Sequence, residues 1–226
     1  MTWGVIEPNG FGGYFPQGEH VAWKDTIEDY YNTQMTNAEK KDLGMETGVN
    51  FFKFSEKFTK DLGPLEEYAQ PRTLETSKTH KELASLILMK NRLIAVDETL
   101  KGIIEELEPG VHQFWPIEIT MPKDTSYPVQ YYGMVIHNHL NSFRLEDCDP
   151  GLAVDDSIGD YIDYVVKARS RSDFKGLAMS REEIGNCHIW REKYLRDLWI
   201  FFSDELAARI KASGLKMPKH YPMKDV

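Results

Sequence analysis

The chain has 226 residues, a formal net charge of −9, 41% apolar residues and 12% aromatic residues. This length and composition are typical of a folded globular protein and not of a disordered one, and a chain of this size needs neither disulfides nor a metal to hold its core. The excess of acidic residues would repel nucleic-acid phosphates, and no apolar run reaches the ~20 residues that cross a bilayer, so we expect neither nucleic acid nor a membrane as partner.

The N-terminal 80 residues carry few regular patterns. The first residues have neither the basic start nor the apolar core of a signal peptide, which predicts a cytoplasmic protein. Residues 10–18 are rich in glycine and aromatic residues, which disfavours a helix, and no apolar strand precedes them as a phosphate-binding loop would require. We predict that residues 1–80 form an irregular and helical segment packed on a domain of residues 81–226, with one compact unit overall.

Two strand–cap–helix units are the clearest local patterns, and they frame the middle of the chain. Residues 93–96 are apolar, Asp97 can accept a hydrogen bond as a helix N-cap, and an amphipathic helix follows. Residues 199–202 are also apolar, and Ser203 is the matching cap of a helix that ends at Gly214.

Strand patterns fill the chain between these two units. Trp115, Ile117 and Ile119 alternate with more polar residues, and residues 129–136 return as the second strand of a hairpin. Residues 161–166 form another β-rich run, and Ser180 has the spacing of a capping box that begins a short helix. The order predicts an α+β fold with a mostly antiparallel sheet and flanking helices.

Two pairs of residues raise the question of catalysis. His137 and His139 would share one face of a strand and could contact one metal ion, but no CxxC or HExxH pattern supplies further ligands. Ordinary hydrogen bonding of both histidines is the simpler interpretation. Cys187 and His188 are sequence neighbours, which point to opposite sides of a strand, so neither readily activates the other. The residues themselves predict no catalytic site, no metal and no cofactor.

Negative charge is concentrated in one part of the chain. Residues 1–166 carry 28 Asp and Glu against 14 Lys and Arg, whereas the remainder is net basic. The densest stretch contains no Lys or Arg and consists of Glu146, Asp147, Asp149, Asp155, Asp156, Asp160 and Asp163. A solvated loop and strand edge is the simpler explanation of such a run, and a surface that binds a basic protein is the alternative.

Three segments in order resemble a known family. Residues 109–120 (PGVHQFWPIEIT) have an aromatic–proline centre, and a return strand with the pair Tyr131-Tyr132 follows. Residues 188–192 (HIWRE) form the second segment, and residues 202–206 (FSDEL) through Gly214 form the third. This combination resembles the eleventh class of polymorphic-toxin immunity proteins over roughly residues 87–219. Lys216 follows the closing Gly-Leu, where the family usually has another glycine.

The resemblance implies a cytoplasmic, non-enzymatic inhibitor that binds a cognate bacterial toxin and occludes its active site or substrate groove. If the toxin is a basic nuclease, an acidic face would mimic its nucleic acid. The resemblance also implies that Trp115, Pro116, Trp190 and Arg191 build the fold. Toxin contacts are then expected in the acidic run and its tyrosine: Glu146, Asp147, Asp149, Asp155, Asp156, Asp160, Tyr161 and Asp163. The alternative function is a small metal-dependent hydrolase that uses His137 and His139.

Overall fold

A computed structural model of the chain describes residues 1–196 and 200–226. The α-helices in these ranges are α1 (Trp23–Thr33), α2 (Asn37–Asp42), α3 (Phe51–Glu56), α4 (Glu98–Leu107), α5 (Arg171–Phe174), α6 (Arg181–Ile184) and α7 (Asp204–Ala212). The strands are β1 (Thr2–Val5), β2 (Gly18–His20), β3 (Thr73–Thr76), β4 (Leu86–Leu88), β5 (Ile94–Asp97), β6 (Gln113–Met121), β7 (Thr125–Ser126), β8 (Tyr131–Val135), β9 (His139–Leu140), β10 (Ala153–Asp155), β11 (Tyr164–Val166), β12 (Ala178–Met179), β13 (Ile189–Glu192), β14 (Phe201–Phe202) and β15 (His220–Asp225). The predicted α+β class is confirmed. None of the helices in the described ranges has the length and apolar content to cross a membrane.

These elements belong to two compact units. Unit 1 consists of residues 1–8, 102–112 and 136–226, and unit 2 consists of residues 9–101 and 113–135. The division of the chain near residue 80 stays a prediction.

Unit 1 contains a sheet in the order β12-β15-β1-β14-β13-β9 and the separate pair β10-β11. Within the sheet, β12 and β9 join their neighbours in parallel, and the other pairings are antiparallel. Its core includes the fully buried Trp190, whose ring stacks on Phe201 with centroids 5.9 Å apart, and the equally buried Phe174. The aromatic residues near the C-terminus therefore fill this core.

Unit 2 contains a sheet in the order β2-β3-β6-β8-β5-β4, with the short β7 paired to β6. Trp115, Ile117 and Ile119 of β6 are buried, and Pro116 and Glu118 between them are exposed, so the predicted alternation is confirmed. The return strand β8 pairs antiparallel with β6 as predicted, but it begins at Tyr131 and not at residue 129.

Short helices and a pinned loop occupy the N-terminal part of unit 2, where the sequence indicated little. Residues Gly13 and Tyr14 of the glycine-rich segment accept backbone hydrogen bonds from Ala84 and Leu88, so the segment lies along the edge of β4. Helix α2 begins with a reciprocal capping box between Thr36 and Glu39. None of its residues is buried, so no apolar pattern indicates this helix in the sequence.

Both predicted caps are present. The Asp97 carboxylate accepts the Leu100 N–H at 2.8 Å at the start of α4, and the Ser203 hydroxyl accepts the Leu206 N–H at 3.1 Å at the start of α7. Gly214 adopts φ +64° after α7, and the hydrogen bonds from Gly214 and Leu215 close a Schellman motif there. Residue Trp199 of the predicted second unit lies outside the described residues.

Candidate functional site

The acidic run continues into a β-hairpin of unit 1 that extends well beyond its two named strands. Strands β10 and β11 pair in antiparallel register from Ala153↔Val166 to Asp155↔Tyr164. The same register continues outward, because the Asp156 N–H donates to the Asp163 carbonyl at 2.9 Å. We call residues 153–166 the acidic hairpin. Its four aspartates are accompanied by no Lys or Arg.

A two-residue turn closes the acidic hairpin at its tip. Ile158 and Tyr161 exchange two backbone hydrogen bonds of 3.0 Å, so Gly159 and Asp160 form the turn between them. Gly159 has φ +59°, which suits the first central residue of a hairpin turn that favours glycine. Residues directly opposite in such a pair present their side chains on one face. Ile158 and Tyr161 therefore form a cross-strand apolar pair, and they are 80% and 69% exposed.

One arginine holds two of the aspartates together. Nε of Arg196 donates to Oδ2 of Asp163 at 2.7 Å, and Nη2 of the same side chain contacts both Asp163 and Asp156. Asp163 is buried, whereas Asp156 is exposed. Hydrogen bonds to Asp156 and Asp163 raise the pKa of Arg196 above its usual range, so the guanidinium stays charged. Asp156 and Asp163 consequently fasten the hairpin and present little free charge.

The remaining hairpin aspartates face solvent. Asp155 accepts the Ser157 N–H at 2.9 Å, and hydrogen bonds from the side chain and backbone of Ser157 lower the pKa of Asp155. Asp160 lies in the turn and is exposed, and no ion pair in the described part of the chain includes it. The lowered pKa keeps Asp155 charged near neutral pH, and both carboxylates are exposed to a partner.

The base of the acidic hairpin is fixed to the core of unit 1. Val166 is buried in that core, and Ala153 and Tyr164 pack against it. The backbone of Tyr164 also donates to the Tyr194 carbonyl at 2.7 Å and accepts the Arg196 N–H at 3.0 Å. A third segment thus pairs with the outer side of β11, so the tip projects from a rigid support.

The other three predicted toxin-contact acids precede the hairpin. Glu146 and Asp147 are exposed on a 3-10 helix of residues Leu145–Asp147. Asp149 follows and accepts a hydrogen bond of 2.9 Å from Nζ of Lys224, which neutralises it. The structure therefore brings Asp155, Asp156, Asp160, Tyr161 and Asp163 into one hairpin, and it places Glu146, Asp147 and Asp149 in a separate segment of unit 1.

Two apolar residues of the tip were missing from the sequence prediction. Ile158 is the most exposed large apolar side chain of the described residues, and Ile162 is 41% exposed. A signal for them exists, since Gly159-Asp160 flanked by β-branched and aromatic residues is a hairpin-turn pattern. The prediction included Tyr161 of the tip with the aspartates, and it missed both isoleucines.

A buried carboxylate links three segments of unit 1. Glu108 accepts hydrogen bonds from Nε2 of His112 and Nδ2 of Asn138, both at 2.8 Å, and from the backbone N–H groups of His188 and Ile189. Burial opposes ionisation of Glu108, but these hydrogen bonds outweigh it and hold its pKa below the usual value. The network fixes the end of α4 to β13, and its role is structural.

A second buried carboxylate lies beside Trp190. Glu192 accepts hydrogen bonds from the Ser142 N–H at 2.9 Å, the Phe143 N–H at 3.1 Å and Nε1 of Trp190 at 3.0 Å, and the Ser142 hydroxyl also contacts it. Burial dominates over these donors and raises the pKa of Glu192 to about 7. Its titration is therefore centred near neutral pH.

The histidines considered as metal ligands occupy a different setting from the one predicted. His137 lies in the connection between β8 and β9, so the expectation that it shares a strand face with His139 is wrong. The backbone N–H of His137 donates to Nδ1 of His112 at 3.2 Å, and Nε2 of His139 donates to the Ile136 carbonyl at 3.1 Å. Across residues 1–196 and 200–226, no group of three His, Cys, Asp or Glu side chains has an arrangement that could hold a metal ion.

Cys187 and His188 also have separate surroundings. Burial, together with the nearby Glu108, raises the pKa of the Cys187 thiol, which disfavours the reactive thiolate. Nδ1 of His188 instead lies 2.8 Å from the hydroxyl of Ser203, the N-cap of α7. His188 is therefore hydrogen-bonded to the cap of α7 and not to the thiol.

Comparison with protein families gives one match. The model of an immunity protein family, Imm11, matches residues 16–225, which includes the whole acidic hairpin and most of both units. A search of curated proteins finds no match.

Proposed function

Because the chain belongs to the Imm11 immunity protein family, we propose that it protects its own cell by binding a cognate bacterial toxin and occluding the toxin's active site or substrate groove. The observation that carries the proposal is the acidic hairpin, an exposed tip on a fixed base. We further propose that the protein acts in the cytoplasm, where a delivered toxin would meet it, and that it works by binding and without catalysis.

The negative charge of the acidic hairpin favours a basic protein as the partner. Exposed carboxylates attract a basic protein over several ångströms and accelerate encounter, and this attraction weakens as salt rises. A basic toxin of the nuclease type fits this field, since its substrate groove already accepts a polyanion. An acidic hairpin in such a groove would take the place of nucleic-acid phosphates.

The predicted contact residues have different roles in this proposal. Asp155, Asp160 and Tyr161 are exposed on the hairpin and would contact the toxin, and Glu146 and Asp147 would extend the acidic surface. Asp156 and Asp163 bind Arg196 and would act by holding the hairpin in shape. Asp149 is paired with Lys224 and is expected to add little.

Co-expression with the toxin encoded beside this chain tests the function directly. The toxin domain is expressed from an inducible promoter with this chain, with an empty vector, or with an immunity protein of another toxin. Growth should be rescued only by this chain. Equal killing in all three strains would contradict the proposal.

The contribution of charge is tested by association kinetics. Asp155→Lys with Asp160→Lys should slow association with the toxin by about tenfold at low salt and flatten its salt dependence. Glu28→Lys with Asp29→Lys is the matched control, because both residues are exposed on α1 and the net charge changes equally. Equal slowing by both double variants would show that net charge acts, and not the acidic hairpin.

A further inference from the structure

Ile158 and Tyr161 are the two most exposed large apolar side chains among the described residues. Their exposed fractions of 80% and 69% exceed those of Phe52 and Phe11, which are 64% and 63% exposed. A single exposed apolar residue is ordinary on protein surfaces, but these two are adjacent across one hairpin turn. They contribute nothing to the core of unit 1, so the fold itself gives no reason for apolar side chains here.

The tip holds this pair in a fixed arrangement. Both backbone hydrogen bonds between Ile158 and Tyr161 are made, and the ladder continues through Asp156 and Asp163 to the buried base. Because the backbone of the tip is already ordered, binding costs little backbone conformational entropy, which favours affinity. Tyrosine is enriched among interface residues whose truncation costs most, because it buries a large area and loses few torsions.

The surrounding charge indicates what kind of partner covers the pair. Asp160 is exposed in the turn between the two residues, Asp155 is exposed on the opposite face of the same strand, and the acidic hairpin has a net charge of −4 from its own residues. A second copy of the same tip would bring like charges together, and an anionic lipid surface would be repelled as well. An apolar recess with Lys or Arg at its rim matches both the apolar pair and the carboxylates.

We propose that Ile158 and Tyr161 are the anchor of the complex, and that they enter an apolar recess of the toxin that is rimmed by basic side chains. This inference rests on the proposed function and adds the chemistry of the partner's site. Asp155 and Asp160 pair with the rim and govern the rate of association, whereas the apolar pair governs how long the complex lasts.

The test measures binding of the full-length chain to the purified, catalytically inactivated toxin by surface-based kinetics. Ile158→Ala and Tyr161→Ala should each raise the dissociation constant by at least about 30-fold, through faster dissociation and with an unchanged salt dependence. Tyr161→Phe should stay within about threefold of the unmodified chain, since the ring is kept. Phe52→Ala is the matched control, because Phe52 is an exposed apolar residue of unit 2 and should leave binding unchanged.

The outcomes separate the anchor from the function. If the unmodified chain does not bind the toxin, the proposed function fails. If the unmodified chain binds and both alanine variants bind equally well, the function stands and the anchor is wrong. Light scattering tests whether the pair instead binds a second copy of this chain. If the unmodified chain forms dimers and Ile158→Asp converts them to monomers, the pair belongs to a dimer interface and the anchor is wrong. Thermal unfolding should be unchanged in all variants, because the side chains are exposed.

Discussion

The indole of Trp115 lies directly against the backbone of Gly133 on the neighbouring strand of unit 2. The two residues are register partners between β6 and β8, and Nε1 of Trp115 donates to the Pro71 carbonyl at 2.7 Å. A Cβ atom at position 133 would lie 2.5 Å from Cε2 and Cζ2 of this ring, far inside van der Waals contact. The absence of a side chain at Gly133 therefore makes room for the indole.

Gly133→Ala should accordingly destabilise the protein. The added methyl group has to displace a buried indole that is held by its own hydrogen bond, so we expect a loss of about 1–3 kcal/mol in the free energy of unfolding. Gly102→Ala is the control, because Gly102 lies within α4 and a Cβ atom there meets nothing within 4 Å. That change should raise stability by about 1 kcal/mol. Urea unfolding of the two variants measures both effects, and a Gly133→Ala protein as stable as the parent would refute the steric argument.

Trp190 is a central side chain in the core of unit 1. The residue is fully buried, stacks on Phe201 and donates to Glu192. Trp190→Ala should lower the free energy of unfolding by about 3–5 kcal/mol, since it removes a large core side chain and a donor to a buried carboxyl group. Trp190→Phe should cost less, because a ring remains. Toxin affinity of whatever fraction stays folded should equal that of the unmodified chain, and weaker binding by fully folded Trp190→Phe would place this residue in the interface.

The buried carboxyl group of Glu192 predicts how stability changes with pH. Its pKa is about 7 in the folded protein and near 4.5 when unfolded, so the folded state binds the proton more tightly. The stabilisation from this group is complete below pH 4.5, falls as pH rises through 7, and then levels off, with a total of at most about 3 kcal/mol. Glu192→Gln removes this titration. Urea unfolding at pH 5, 6, 7 and 8 should therefore show a smaller decline in the variant, and parallel curves for the two proteins would assign the decline to other groups.

Local signals made part of this structure predictable. Four predicted features depend on residues within one element, and each can be recognised from the sequence alone. They are the caps Asp97 and Ser203, the helix end at Gly214 and the alternation along β6. Helix α1 gave no such signal, because only Trp23 and Ile27 of its residues are buried. The hydrogen-bond networks of Glu108 and Arg196 in unit 1 could not be predicted from the sequence for a different reason.

Those networks join residues far apart in the chain. Glu108 accepts hydrogen bonds from residues about 80 positions later, and Arg196 meets Asp156 40 positions away. No pattern in one sequence indicates such pairings. The acidic run was consequently predicted as uniform charge, although two of its aspartates hold an arginine. The isoleucines of its tip were overlooked, and only the structure separates the carboxylates that face solvent from those that support the hairpin.

Removal of Arg196 should loosen the acidic hairpin without touching the proposed contact residues. Arg196→Ala leaves the buried Asp163 without its cation and ends the link to Asp156, so amide hydrogen exchange across residues 153–166 should become faster. The surface around the acidic hairpin also loses one positive charge. Association with a basic toxin should therefore be as fast as before or faster, whereas the complex should dissociate sooner because the tip is less rigid.

Arg209→Ala is the control for this last prediction. Arg209 pairs with Glu106 and Glu205 elsewhere in unit 1, so its removal also breaks two ion pairs of a partly exposed arginine, but away from the acidic hairpin. Exchange in residues 153–166 and both rate constants should remain unchanged in that variant. Slower association of Arg196→Ala would instead indicate that Arg196 itself contacts the toxin. Unchanged exchange in residues 153–166 would show that the ion pairs do not support the hairpin.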